Sequence, residues 1–210
     1  MRTTLFFAKT SLVLALGFGL MATADAQRRG QQAAEEILYP NATRTEPTLK
    51  PAQRTQRQMK RVFDLSQEEG KDAETEEAAK ALLGNAGAGI YEISLVNQIL
   101  AQIELDRDNY PAAITYFQAA LEAGGYKNNQ YYQVMQNIGQ LQFQEELYAD
   151  AAATFTRWLD ETRSEDAKVY ALRGNAYYRL ERYEDAVADL RKALSLQETP
   201  ESAVSQMLMG

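Results

Sequence analysis

An all-α chain of stacked antiparallel helix pairs, an α-solenoid, is the fold the sequence predicts, and three observations predict it. From residue 52 onward apolar residues return every three or four positions, as in LVNQILAQIEL at 95–105, the period of a helix with one buried face. Strand signals are missing: no stretch sustains a period of two, and no Asn-Gly or Asp-Gly pair offers a hairpin turn. One pattern of small and aromatic residues returns at spacings of 38 and then 35 residues, which marks repeated units.

The elements follow in chain order. Arg2 and Lys9 precede an apolar run, SLVLALGFGLMA at 11–22, and Ala24-Asp25-Ala26 supplies small residues before a cut. Residues 1–26 therefore read as a secretory signal peptide, too short to span a bilayer, with cleavage expected between Ala26 and Gln27. No later stretch reaches the roughly 18 apolar residues a spanning helix needs. The chain has no cysteine, so an N-terminal lipid anchor on that residue is ruled out. The mature chain is expected in the periplasm, with no lipid anchor and no transmembrane helix after cleavage.

Residues 27–51 hold Pro40, Pro47 and Pro51 and read as a basic, poorly ordered lead-in with one short helix at 31–38. Residues 52–89, with QMKRVFDLSQEEGKDAETEEAAKALLG at 58–84, read as a degenerate capping helix pair. Three repeats are expected at 90–128, 129–166 and 167–200, divided by breakers such as Asp106 to Tyr110, Gly124 to Asn129 and Glu145 to Tyr148. Residues 201–210, ESAVSQMLMG, start a further repeat, with Gly210 falling 36 residues after Gly174. The expectation is that the chain is a piece of a longer protein.

The three repeats align without gaps over their second halves. Tyr110, Tyr148 and Tyr183 are each followed after three residues by Ala113, Ala151 and Ala186. Four residues further stand Phe117, Phe155 and Leu190, and three beyond those Ala120, Trp158 and Ala193. Nine residues before each Tyr lie Ala101, Gly139 and Gly174. This pattern resembles the tetratricopeptide repeat, a helix-turn-helix unit of about 34 residues. The third unit, with Gly174, Tyr177, Tyr183 and Ala186, matches best. The second has Gln142 where the family prefers Tyr, and the first has Glu104 there. Gly174 and Ala186 lack bulk where two helices cross, and Tyr177 and Tyr183 are expected to fill the spaces around that crossing.

Composition removes most chemistry. With neither His nor Cys there is no thiolate, no Ser/His pair and no soft metal ligand. The acid runs, such as EEGKDAETEE at 68–77, sit among Lys, Gln and Arg and read as solvated helix faces. No catalytic residue, metal site or cofactor is expected. Residues 27–67 hold 8 basic and 4 acidic groups, whereas 68–210 hold 12 and 24. The acidic body argues against nucleic acid.

The resemblance implies a groove lined by the first helix of each unit. Carried over, its positions are Leu95, Gln98, Gln102, Leu105 and Asp106 in the first unit and Gln133, Gln136, Gln140, Phe143 and Gln144 in the second. In the third they are Lys168, Ala171, Asn175, Tyr178 and Arg179. Amides both donate and accept, which suits the backbone of an extended peptide. The candidate site is therefore Gln98, Gln102, Gln133, Gln136, Gln140, Phe143, Gln144, Asn175, Tyr178 and Arg179. Only Lys168, Asn175 and Arg179 fit the family's carboxylate-binding variant, so capture of a C-terminal carboxylate is not expected.

The function expected is a non-enzymatic envelope scaffold that binds other proteins or extended peptide segments. The layout is similar to periplasmic tetratricopeptide proteins that accompany TonB energy-transduction systems, which makes components of such a system candidate partners. An adaptor for outer-membrane or cell-wall assembly, or the interaction domain of an enzyme whose catalytic part lies beyond residue 210, stays open.

Overall fold

The structure, a computed structural model, describes residues 36–197. The signal peptide, the start of a further repeat at 201–210 and most of the expected helix at 31–38 lie outside the described residues; 36–38 are not helical. The chain divides into two units, Met1–Glu36 and Ile37–Gly210, and every described helix lies in the second.

The described residues contain eight helices and no strand. Helix α1 (Gln56–Ser66) pairs with α2 (Asp72–Leu83), and α3 (Ile90–Asp106) with α4 (Tyr110–Ala123). Helix α5 (Asn128–Gln144) pairs with α6 (Tyr148–Thr162), and α7 (Ala167–Arg179) with α8 (Tyr183–Leu196). Each hairpin also packs on the next, through α4 against α5 and α6 against α7, the contact order of a solenoid. Helix α5 additionally touches α7, and α1 touches α3, so in these two steps the first helices of neighbouring hairpins lie side by side.

Helix ends follow local chemistry. Pro111 sits in the first turn of α4, where a missing N–H costs nothing. The Asp166 carboxylate accepts from Lys168 N at 2.8 Å and caps α7. Buried Glu92, in the first turn of α3, accepts from Gly89 N at 3.2 Å and from Ala52 N at 2.5 Å.

The turns inside the three repeats share a device the sequence did not advertise. Asp108, Glu146 and Glu181 all adopt left-handed backbone, with φ of 57°, 61° and 59°. Each stands two residues before its repeat's Tyr. The next residue's N–H bonds back five residues, Asn109 to Glu104 O, Leu147 to Gln142 O and Arg182 to Tyr177 O, at 2.8 to 2.9 Å. That closes each first helix in a Schellman-type end. An L-residue there carries strain of about 1–2 kcal/mol. Glu146→Gly is therefore expected to raise stability by about 0.5–1 kcal/mol despite the extra freedom glycine brings to the unfolded chain. Urea unfolding of variant and parent checks it.

The main core runs through the repeats and contains Phe117, Tyr126, Tyr132, Met135, Phe155 and Trp158. A smaller cluster of Val62, Ala79, Leu82, Val96 and Leu100 joins the first hairpin to α3. The small positions are where helices meet. A Cβ on Gly139 would lie 2.6 and 2.8 Å from two carbons of the buried Phe155 ring, and one on Gly174 would lie 3.0 Å from Leu190 Cγ. One aromatic expectation is corrected. Tyr177 is half-buried, but Tyr183 is 56% exposed and fills no inter-helix space, because no described helix packs over the start of α8. Its removal should cost far less than that of a buried ring.

Candidate functional site

On α5, Gln133, Gln136 and Gln140 recur at three- and four-residue steps and share one stripe of the helix. Gln133 is exposed and donates to Asn137 Oδ1 at 3.3 Å, whereas Gln136 is buried. Gln140 reaches back to Gln136 O at 3.4 Å. On α3, Gln98 is buried and accepts from Gln130 Nε2 at 2.9 Å, a link between α3 and α5. Its amide serves the packing of one repeat on the next. Gln102 donates to Asp106 Oδ1 at 3.0 Å, and its own carbonyl oxygen is buried without a partner. Asn175 Oδ1 on α7 is likewise buried and unpaired. Gln102 and Asn175 each directly follow a small packing residue, Ala101 and Gly174. A buried acceptor without a donor is costly, and a turn of either side chain that meets an N–H relieves it.

The rest of the expected set clusters at one end. Phe143 meets Tyr148 edge-on at 5.2 Å, and Arg179 stands 4.9 Å over the Tyr148 ring while donating to the hydroxyl of Tyr148 at 2.6 Å. Residues from α5, α6 and α7 are thereby brought together, with Tyr148 as a member that the sequence reading assigned only to the repeat framework. Tyr178 is exposed and edge-on to Tyr183 at 5.8 Å. Gln144 is exposed at the end of α5. Leu95, by contrast, belongs to the core.

A second polar and aromatic cluster involves the lead-in. Residues 36–52 form no helix or strand, and several of them are seated on the repeats. Tyr39 is edge-on to Tyr132 at 5.2 Å and to Trp158 at 5.5 Å. Arg44 donates to Gly124 O, Tyr126 O and Asn128 Oδ1 at 2.8 to 3.1 Å. It also lies 4.2 Å over the ring of Tyr131. A cation there meets the carbonyls at the end of α4, the favourable pole of a helix for positive charge. Burial raises the phenol of Tyr39, with the Asp166 carboxylate adding to it. Burial also raises that of Tyr132, helped by Glu161 and opposed by Arg44. Both hydroxyls are therefore neutral near pH 7. The sequence signal for these contacts was slight: one Tyr and one Arg five residues apart in a proline-flanked run.

On the opposite side of α6, an open groove of about 550 Å3 runs past Ala149, Ala153, Thr156 and Asp160 and ends at Tyr177 and Leu180. No group of three or more Asp or Glu side chains arranged to hold a metal ion occurs among the described residues. No helix among them is long and apolar enough to cross a membrane.

Comparison with known proteins agrees with this architecture. Residues 167–200 match the family model described as tetratricopeptide repeat. A double mutant of MamA RS-1 is similar in structure, 19% identical, over 72% of this chain and 81% of that one, with a TM-score of 0.54. A MamA fragment, 41 to the end, from Desulfovibrio magneticus RS-1 is 19% identical over 72% and 81% of the two chains, with a TM-score of 0.53. The TPR domain of Arabidopsis OM64 is 21% identical over 58% and 95%, with a TM-score of 0.47. No curated protein matches the chain. The third repeat matches the tetratricopeptide repeat model, and the described helices form a solenoid of that type.

Proposed function

With the tetratricopeptide-type solenoid as premise, we propose that the chain is a non-catalytic, exported scaffold that holds an extended segment of another protein along its first-helix faces. The observation that carries the reading is the pair of buried, unpartnered amide oxygens on Gln102 and Asn175, beside the glutamine stripe of α5. Once these side chains turn outward, a peptide backbone supplies the N–H groups their oxygens lack. Phe143 and Tyr178 are the apolar anchors, and Arg179 with Tyr148 closes one end. Each amide contact replaces one with water, so the net gain per bond is small and binding is expected around micromolar.

The test is a titration of an envelope-protein peptide library against the parent and a Gln133→Ala, Phe143→Ala, Tyr178→Ala variant at low and high salt. Loss of about tenfold or more in affinity in the variant, with little salt dependence, is the expected result, because few of these positions are charged. Unchanged binding contradicts it.

Periplasmic location rests on the sequence of residues 1–26. Mass analysis of exported protein is expected to find Gln27 at the N-terminus; retention of 1–26 in a membrane fraction contradicts the assignment. Within the envelope, components of TonB-dependent transport are the partners to test first, and outer-membrane or cell-wall assembly factors second.

A further inference from the structure

We propose that the surface around Tyr132 and Trp158 is a second peptide-recognition socket, occupied in this chain by its own residues 38–46. Its partner class is an extended peptide carrying an aromatic ring followed five residues later by an arginine. The inference does not depend on the first-helix groove, since it uses other residues.

The seated segment, LYPNATRTE at 38–46, shows what the socket reads. The ring of Tyr39 rests against Tyr132 and the fully buried Trp158, whose indole N–H is fixed on Tyr132 O at 3.0 Å. At the other end the Arg44 fork meets three oxygens while its plane lies on Tyr131. The hydroxyl of Tyr131 accepts from Arg157 at 2.6 Å, which steadies the ring. A planar fork on a ring and three fixed acceptors selects arginine over lysine.

Between the two anchors the socket meets the main chain. Thr43 N and Thr43 Oγ1 both donate to Glu161 O, at 2.8 and 3.2 Å. Asn129 Oδ1 accepts from Leu38 N at 3.0 Å, and Asn128 Nδ2 donates to Arg44 O at 3.1 Å. Such contacts to backbone, combined with two side-chain anchors, are how extended peptides are recognised on a folded surface.

The segment is built to leave. It forms no helix or strand, and Leu38, Pro40, Asn41, Thr43, Thr45 and Glu46 are exposed. With no helix or strand of its own and most of its side chains in water between a few anchors, it belongs among the parts of a fold that open locally. Tethering keeps it in place, because a linked segment faces its site at an effective concentration in the millimolar range. A free peptide therefore competes only when the chain's own anchors are weakened.

The experiment uses the full chain and a fluorescein-labelled peptide of residues 36–48. Trp158 is the one tryptophan, so its emission reports the socket directly. The Tyr39→Ala, Arg44→Ala variant is expected to bind the peptide at least about tenfold more tightly than the parent does, with a shift in Trp158 emission. Replacing Tyr or Arg by Ala in the peptide should abolish that gain. Adding Gln133→Ala, Phe143→Ala and Tyr178→Ala should leave it intact, which separates this socket from the groove. Should the double variant fail to melt cooperatively, Arg44→Lys, which keeps the charge and loses the fork, replaces it in the same assay. Equal binding by parent and variant, no binding by a folded variant, or equal binding of the Ala-substituted peptides overturns the proposal.

Discussion

Trp158→Ala is expected to lower the unfolding free energy by about 3–5 kcal/mol, the range for deleting a large buried ring. Trp158 has no exposed surface and stands at the point where α6 meets α5 and the lead-in. Two losses add up. The cavity left behind is lined by Tyr39, Tyr132 and the helices around them, which relax only in part. The carbonyl of Tyr132 also loses its indole donor, but it keeps its helical bond from the Gln136 N–H within α5, so this second loss is about 0.5–1.5 kcal/mol. Trp158→Phe separates the two, since it keeps most of the ring and removes the indole N–H. It should fall between Ala and the parent. Far-UV circular dichroism in urea is the measurement, because the variants lack the tryptophan needed for fluorescence.

Gly139→Leu is expected to be at least as damaging and to exceed Gly174→Leu. The first carbon of any side chain at 139 falls 2.6 Å from the Phe155 ring, against 3.0 Å from Leu190 Cγ for 174. Both neighbours are buried, Phe155 at 0% and Leu190 at 2% exposure, but the rigid Phe155 ring starts closer and yields less than the branched leucine side chain. Overpacking by extra methylenes costs about 1–3 kcal/mol or more. Even Gly139→Ala should cross that threshold while Gly174→Ala stays near its lower end. Thermal melts of the four variants give the order directly. Equal effects at the two sites would contradict the tighter crossing in the second repeat.

Much of this architecture was legible in the sequence because it rests on residue size at fixed intervals. Ala101, Gly139 and Gly174 mark helix crossings through their lack of bulk, and a pattern of that kind survives in a string of letters. The third repeat was easiest to read because it keeps both Gly174 and Tyr177. The left-handed turns at Asp108, Glu146 and Glu181 were not legible. Asp108 is a residue type that tolerates this backbone, but Glu146 and Glu181 carry no such signature, and tertiary packing imposes the conformation. Tyr183 was misread for a related reason. Repetition assigned it the surroundings of Tyr110 and Tyr148, but a ring is buried only if a neighbour covers it.

The lead-in was the least legible part. Its composition of Pro, Gln and basic residues says how it behaves alone. The contacts of Tyr39 and Arg44 reach partners 80 or more residues away, and an irregular segment has no periodicity from which such pairing can be read. The amides were legible as a set but not one by one. Gln133 and Gln136 stand three residues apart on one stripe of α5, yet the first faces solvent and the second is buried.

The central claim is that extended peptides are held on the first-helix faces of the repeats. It is tested most directly by side-chain amide and aromatic NMR spectra of the protein, recorded with and without the tightest-binding peptide from the envelope library. The account predicts that the amide signals of Gln102, Gln133, Gln140 and Asn175 and the ring signals of Phe143 and Tyr178 move together as peptide is added. Those signals staying in place while the peptide binds would contradict it.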